Sequence, residues 1–357
     1  MSTLDIAELC DMAANGLVSM LDPATQIFCH IYRRTDGEMT RQGLSRRYTM
    51  MTLLGLHRYE ISGRSSPVAI SSVLEALLED IRWISGVGDL GLLLWTCAEL
   101  VPDQVPKVYQ QVKASTALSR FSDGRQGHTM EVAWYLTGLM SCCRVGNSDL
   151  PGLLDQAMVA RDTLKNNCGI SGVYGHRRRS GMAGYVRRRI GSFADQVYPT
   201  IALAQMALTL NDDEARQMAL YTARTMCQLQ APLGEWSWQY DAVSGRVVSR
   251  YPVYSVHQHA MAPMMLFAAG EAADWDFSSS VYKGLAWIGG NNELQRNFIE
   301  PALGLVWRCV YLQPVDSYAD RGLRMLGMRD GTSSTSLKVN YECRPYELGW
   351  LLYAFAG

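Results

Sequence analysis

The stretch Thr200-Ile-Ala-Leu-Ala-Gln-Met-Ala-Leu-Thr-Leu-Asn-Asp-Asp-Glu-Ala-Arg-Gln-Met-Ala-Leu220 decides the fold. It joins two apolar helical runs, 194–210 and 212–229, through Asn211-Asp212-Asp213. The aspartates are helix-start residues. A connector this short forces the second helix back along the first, so the two are antiparallel neighbours.

The same unit recurs on both sides of it. Apolar residues at helical spacing predict helices at 3–21, 45–59, 68–83, 87–100, 104–118, 128–144, 149–165, 256–272, 276–289 and 345–356. Pro67 and Asp103 mark two of the starts. Pairing in order couples 45–59 with 68–83, 87–100 with 104–118, 128–144 with 149–165, 194–210 with 212–229, and 256–272 with 276–289. The last helix, 345–356, can then pair with the first, 3–21. The expectation is an all-α chain, 1–357, forming a single α/α toroid of about six hairpins, an (α/α)6 barrel with adjacent termini. Region 290–344 is less regular and is assigned a helix near 300–312 and a long loop. No short motif recurs at a fixed period, so a solenoid is not indicated.

Composition bounds the function. With 48% hydrophobic and 19% charged residues, 357 residues can bury one large core. A net charge of −1 argues against a nucleic-acid binder. The first residues lack the basic segment of a secretory signal. The run Leu90-Gly-Leu-Leu-Leu-Trp-Thr-Cys-Ala98 is shorter than the roughly 20 residues of a membrane span. Nine irregularly spaced cysteines, mostly inside apolar helices, fit reduced thiols of a cytoplasmic protein. No C-x-x-C, dinucleotide fingerprint or nucleophile elbow occurs, so no metal and no cofactor is expected.

Two long connectors interrupt the hairpins and are the places where chemistry is expected. Connector 166–193 holds Arg177-Arg178-Arg179 and Arg187-Arg188-Arg189 around a glycine-containing segment. Guanidinium forks suit carboxylate, phosphate or sulfate, which makes Arg179 and Arg187 candidates for an anionic substrate. The alternative is an exposed basic loop or a docking patch. Connector 230–255 holds Trp236, Trp238 and Tyr240, whose alternation predicts one face of a short strand, with a turn at Ser244-Gly245-Arg246. Such rings stack on sugars or stabilise a carbocation, or simply plug the barrel as core.

Asp195 opens an apolar helix beside Gln196 and Tyr198 and is the leading candidate acid, or a helix cap. Glu131 shares a helix face with His128, as an acid–base pair or a solvated first turn. Asp241 is the third candidate acid. His257-Gln258-His259, with Tyr254 before it, precedes another apolar helix. His257 is a candidate proton carrier there.

Two resemblances attach to these residues. Gln230-x-x-x-Gly234-x-Trp236 resembles the end of the Q-W motif of terpenoid-cyclase toroids. The aromatic residue expected before the glutamine is replaced by Met226, and no D-x-D-D is present. Gly234, Trp236 and Asp241 also resemble the G-x-W-x-x-x-x-D stretches of six-hairpin glycosidases. Phe193-Ala-Asp-Gln-Val-Tyr-Pro199 is similar to the aspartate-bearing helix starts that those families place at the cavity mouth. This second likeness implies an (α/α)6 barrel acting on a saccharide, with Asp195 near the reacting carbon.

The first expectation is therefore a carbohydrate-active enzyme (hydrolase, lyase or epimerase) acting on an anionic saccharide. Asp195, Glu131, Asp241 and His257 would be catalytic. Trp236, Trp238, Tyr240, Gln196, Tyr198, Tyr254, Gln258, His259, Arg179 and Arg187 would bind substrate. The second is an isoprenoid cyclase, and the third a non-catalytic helical scaffold.

Overall fold

The computed structural model describes residues 5–84, 86–113, 128–176, 189–314 and 335–356. Twelve α-helices occur among them: α1 (Ile6–Val18), α2 (Arg46–Ile61), α3 (Ile70–Leu78), α4 (Val87–Leu100), α5 (Val105–Lys113), α6 (Thr129–Arg144), α7 (Leu153–Asn167), α8 (Ala194–Leu210), α9 (Asp213–Leu229), α10 (Ala262–Ala273), α11 (Ser278–Ile288) and α12 (Pro345–Phe355).

The helices divide by the shape of their apolar surface. In α9 the buried positions are Ala215, Ala219, Thr222, Ala223 and Met226, a single stripe of an amphipathic helix. Asp212 caps it by accepting from the Ala215 amide at 2.9 Å. In α4, by contrast, every residue from Val87 to Ala98 is buried. A helix apolar on all sides must be surrounded by protein. The even-numbered helices are of this surrounded kind, and they pack in a closed cycle: α2 on α4, α4 on α6, α6 on α8, α8 on α10, α10 on α12, and α12 back on α2. Each odd-numbered helix lies outside, against its predicted partner: α3 on α2, α5 on α4, α7 on α6, α9 on α8, α11 on α10 and α1 on α12.

Close approach within the cycle depends on absent side chains. A Cβ at Gly55 of α2 would fall 1.9 Å from the Gly349 carbonyl oxygen of α12. One at Gly138 of α6 would fall 2.3 Å from that of Gly91 of α4.

Short antiparallel sheets fill the connectors. Strands β1 (Leu21–Asp22), β2 (Ile27–Thr35) and β3 (Glu38–Leu44) follow α1. The turn between β2 and β3 is Asp36-Gly37, both at positive φ, the two-residue hairpin turn that matches strand twist. Strand β4 (Ile190–Ser192) pairs with β5 (Gln239–Asp241), which pairs with β6 (Arg246–Ser249). The small hairpin expected in connector 230–255 is thus present, and it bonds to connector 166–193. Strand β7 (Val253–Tyr254) pairs with β10 (Cys309–Pro314), and β10 with β11 (Thr335–Asn340). Strands β8 (Ile299–Glu300) and β9 (Leu305–Val306) form a two-stranded pair, and β12 (Glu342–Cys343) joins β2.

The helix expected near 300–312 is therefore corrected. Only Pro301–Leu303 turns helically, as one 3-10 turn, and Gly304 ends it at φ +66° before the chain becomes extended.

Candidate active site

The first turns of α2, α6, α8 and α12, and the segment entering α10, surround a cavity of about 200 Å³. Its lining comprises Arg47, Tyr48 and Met51 from α2, Met130 and Trp134 from α6, and Ala194 and Tyr198 from α8. His257 and Met261 come from the start of α10, Tyr346 from α12, and Trp238, Tyr254 and Arg308 from connectors. Helix N-termini present unpaired amides and a positive partial charge, so this end of the cycle favours electron-rich ligand atoms.

Four polar lining groups are held from outside: Arg47, Tyr48, Tyr198 and Arg308. Ser45 caps α2 through the Tyr48 amide, which puts Arg47 and Tyr48 in the first turn. The Arg47 guanidinium donates to Asp89 at 2.8 Å, lies 3.8 Å from Glu131 and sits over the Trp134 ring. Tyr48 accepts from Arg344 at 2.8 Å and packs on Tyr346, ring centroids 4.6 Å apart. Tyr198 accepts from the Trp350 indole at 2.9 Å and meets Trp134 edge-on. Arg308 lies over the Tyr254 ring and is paired with the fully buried Glu347. Burial disfavours both charges. It raises the Glu347 carboxyl, against the pull of Arg308, and Glu347 in turn helps to keep the guanidinium charged.

His257 opens a short π-helical turn, His257–Met261, that leads into α10. Its ring stacks parallel to Trp238 at 6.1 Å and lies 4.5 Å from Phe193. Burial pushes its pKa down to about 3, against a hydrogen bond with the Trp236 backbone. The ring is neutral at pH 7.

The predicted residues fall into three groups. Trp238, Tyr198, Tyr254 and His257 come together in the cavity wall. Others are in the scaffold behind it. Trp236 and Tyr240 are fully buried and pack on Phe193, so they do not form one platform with Trp238. The physical reason is that the strand covers only Gln239–Asp241, and the alternation assumed from 236 to 240 does not hold. Gln196 bonds the backbone of Tyr174 and Ser192, and Gln258 bonds that of Trp236 and Tyr254. His259 is buried, with Nε2 3.3 Å from the Glu347 carbonyl oxygen. Asp241 sits in the β5–β6 turn, clasped by the Arg189 guanidinium at 2.6–2.9 Å and by the Val243 amide and Ser244 hydroxyl. The Arg189 bond holds its carboxyl well below the usual range, and it is not part of the cavity lining. Arg179 and Arg187 lie outside the described residues.

Asp195 and Glu131 form the third group, at the starts of α8 and α6 and outside the cavity lining. Asp195 is fully buried in the first turn of α8 and accepts from His176 Nδ1 at 2.9 Å and from the Ser192 amide and hydroxyl. Glu131 accepts from the His128 amide at 3.4 Å and is partly exposed.

Sequence reasoning missed Arg47, Tyr48, Tyr346 and Arg308. The first three had a signal: each sits in the opening turn of a predicted inner helix, where lining residues concentrate. Arg308 had none, because its segment was read as helix.

No family model matches the sequence, and no curated protein matches it. Solved structures do. Cellobiose 2-epimerase from Bacillus thermoamylovorans B4167 superposes with a TM-score of 0.65 at 12% identity, covering 98% of each chain. A possible member of GH105 family from Klebsiella pneumoniae subsp. pneumoniae MGH 78578 gives 0.63 at 10% identity, over 100% of this chain and 93% of that one. The fold is that of the six-hairpin glycosidases. An unsaturated glucuronyl hydrolase specific for heparin gives 0.59 at 14% identity, over 98% and 95%. At these identities the likeness is one of fold. In this six-hairpin fold the inner-helix starts and connectors build the cavity.

Proposed function

We propose that this chain is a carbohydrate-active enzyme whose reaction takes place in the cavity at the N-terminal end of an α/α toroid. The observation that carries the reading is the lining itself: Tyr48, Trp134, Tyr198, Trp238, Tyr254 and Tyr346 alternate with Arg47, Arg308 and His257. Ring faces take the C–H face of a sugar, while guanidinium and imidazole groups take its oxygens. At about 200 Å³ the cavity is below the ~300–1,000 Å³ usual for drug-sized ligands, a size that suits one sugar ring. The enzymes sharing the fold include a hydrolase, an epimerase and D-mannose isomerase, whose substrates are saccharides by name.

In this reading the neutral His257 ring is a hydrogen-bonding group at the cavity wall, and Glu131, beside Arg47 at the start of α6, is the candidate carboxylate. Asp89 and Glu347 orient Arg47 and Arg308. An anionic sugar would share those guanidiniums with the carboxylates already bound to them; a neutral sugar would offer them hydroxyls. Two guanidiniums in the wall disfavour a carbocation and set the isoprenoid cyclase second.

The test is turnover and thermal shift with D-mannose, cellobiose, an unsaturated glucuronyl disaccharide and geranyl diphosphate. At least one saccharide is expected to be converted, and Trp238→Ala to lower kcat/KM by about a hundredfold, the order expected when a substrate-positioning contact is lost. A shift with geranyl diphosphate alone would overturn the proposal.

A further inference from the structure

We infer that His176 is a catalytic acid–base at the cavity mouth and that buried Asp195 acts through it as a positioning residue. The inference rests on the reading of the cavity as a saccharide site. It reassigns Asp195, because a carboxylate with no exposed surface cannot itself touch a substrate.

The geometry is that of an oriented imidazole. Asp195 Oδ2 receives His176 Nδ1 at 2.9 Å, the Ser192 amide at 2.9 Å and the Ser192 hydroxyl at 2.8 Å. Three donors on one oxygen fix the carboxylate, and the carboxylate fixes the tautomer with the proton on Nδ1. The His176 backbone is fixed as well: its amide donates to the Ile190 carbonyl at 3.1 Å, and its carbonyl accepts from the Thr129 amide at 3.0 Å. The ring stacks on His128 at 4.4 Å. Thus His176 lies where the starts of α6 and α8 meet, and the neighbouring residues Met130 and Ala194 line the cavity. Its side chain is 31% exposed, against none for Asp195. Among the described residues, Asp195 on α8 and His128 at the start of α6 are titratable groups in contact with it.

With Nδ1 bonded to Asp195, any proton that His176 exchanges passes through Nε2. In the forward step a substrate O–H bond breaks and an Nε2–H bond forms, and the imidazolium is stabilised by the adjacent carboxylate. In the return step the same proton goes to a substrate oxygen, leaving the ring neutral and the proton count unchanged.

The experiment compares wild type, His176→Ala, Asp195→Asn and Ser192→Ala on whichever of D-mannose, cellobiose and the unsaturated glucuronyl disaccharide the wild type converts. His176→Ala is expected to lose 10²–10⁴-fold in kcat with KM within threefold, and added imidazole to restore part of it. Asp195→Asn is expected to lose at least tenfold in kcat with its Tm within a few degrees. Wild-type kcat in His176→Ala, or a loss confined to KM with no imidazole rescue, would overturn the inference. If the wild type converts no saccharide, the reading of the cavity fails first. The dyad is then judged by nitrogen NMR, where His176 must show the Nδ1–H tautomer in the wild type and lose that preference in Asp195→Asn. An Nε2–H tautomer in the wild type overturns it.

Discussion

Arg308 and Glu347 show how a single pair can serve both stability and the site. Arg308 lines the cavity and Glu347 lies buried behind it, in a setting that disfavours ions, and each charge helps the other to be tolerated. Removing one partner of such a pair costs about 3–5 kcal/mol, whereas replacing both with apolar residues costs far less. Arg308→Leu is therefore expected to lower the unfolding free energy by about 3–5 kcal/mol in urea titrations, and Arg308→Leu/Glu347→Leu to recover much of that loss. His257 and His259 give a second residue-scale prediction. Burial lowers both rings, to about 3 and about 4 from the ordinary 6.5. They remain neutral in the fold and take up protons on unfolding. Their contribution is complete above pH 6.5 and is lost as pH falls from 6.5 toward 4 and then 3, by up to about 1.4 kcal/mol per pH unit for each ring. Equilibrium unfolding at pH 7.5 and 5.0 checks this; equal stabilities would contradict it.

At the scale of elements, the helices were legible and the sheets largely were not. A 3.6-residue repeat extends over several turns, so α8 and α9 announce themselves, and the polar link between them fixes their pairing. Five of the six pairs followed from that rule, and the sixth, α1 with α12, from closing the ring. Strands of two or three residues, such as β5 and β12, carry too few positions for a period to register, and their partners lie far away in the chain. The β2–β3 hairpin was readable from Asp36-Gly37. The site divided in the same way. His257, Trp238, Tyr198 and Tyr254 stood out as residue types at expected places, while the pairing of Asp195 with His176 depends on two connectors meeting. Asp241 belongs to the element scale, since its bonds hold the β5–β6 turn to Arg189. Asp241→Asn should lower Tm by several degrees and leave turnover unchanged; loss of kcat at unchanged Tm would return Asp241 to the chemistry. At Gly91 a Cβ would lie 2.4 Å from the Trp134 backbone. Gly91→Ala should therefore cost about 1–3 kcal/mol or more in chemical denaturation, as overpacking does.

For the whole molecule the decisive fact is the closed cycle of inner helices. No inner helix is an end of the stack, so each packs between two inner neighbours, and unfolding should be a single cooperative transition. The outer α1 lies against α12, which puts residues 5 and 356 on the same side of the molecule. A circular permutant that links those residues through a short Gly/Ser linker and opens the chain at Asn211–Asp213 is expected to keep the far-ultraviolet spectrum and turnover of the parent. A permutant that folds without turnover would show that the α8–α9 connection sets the cavity geometry.

Because α12 supplies both the closing contact with α2 and Tyr346 of the cavity wall, the pocket is completed by a segment that leaves the ribosome after the other eleven helices described above. During synthesis the earlier hairpins can pair locally, yet the cavity cannot close until translation has passed Phe355. The exposed inner face of that unfinished arc is where a chaperone would be needed, and a ribosome stalled before Pro345 would hold a chain rich in helix and without a closed cavity.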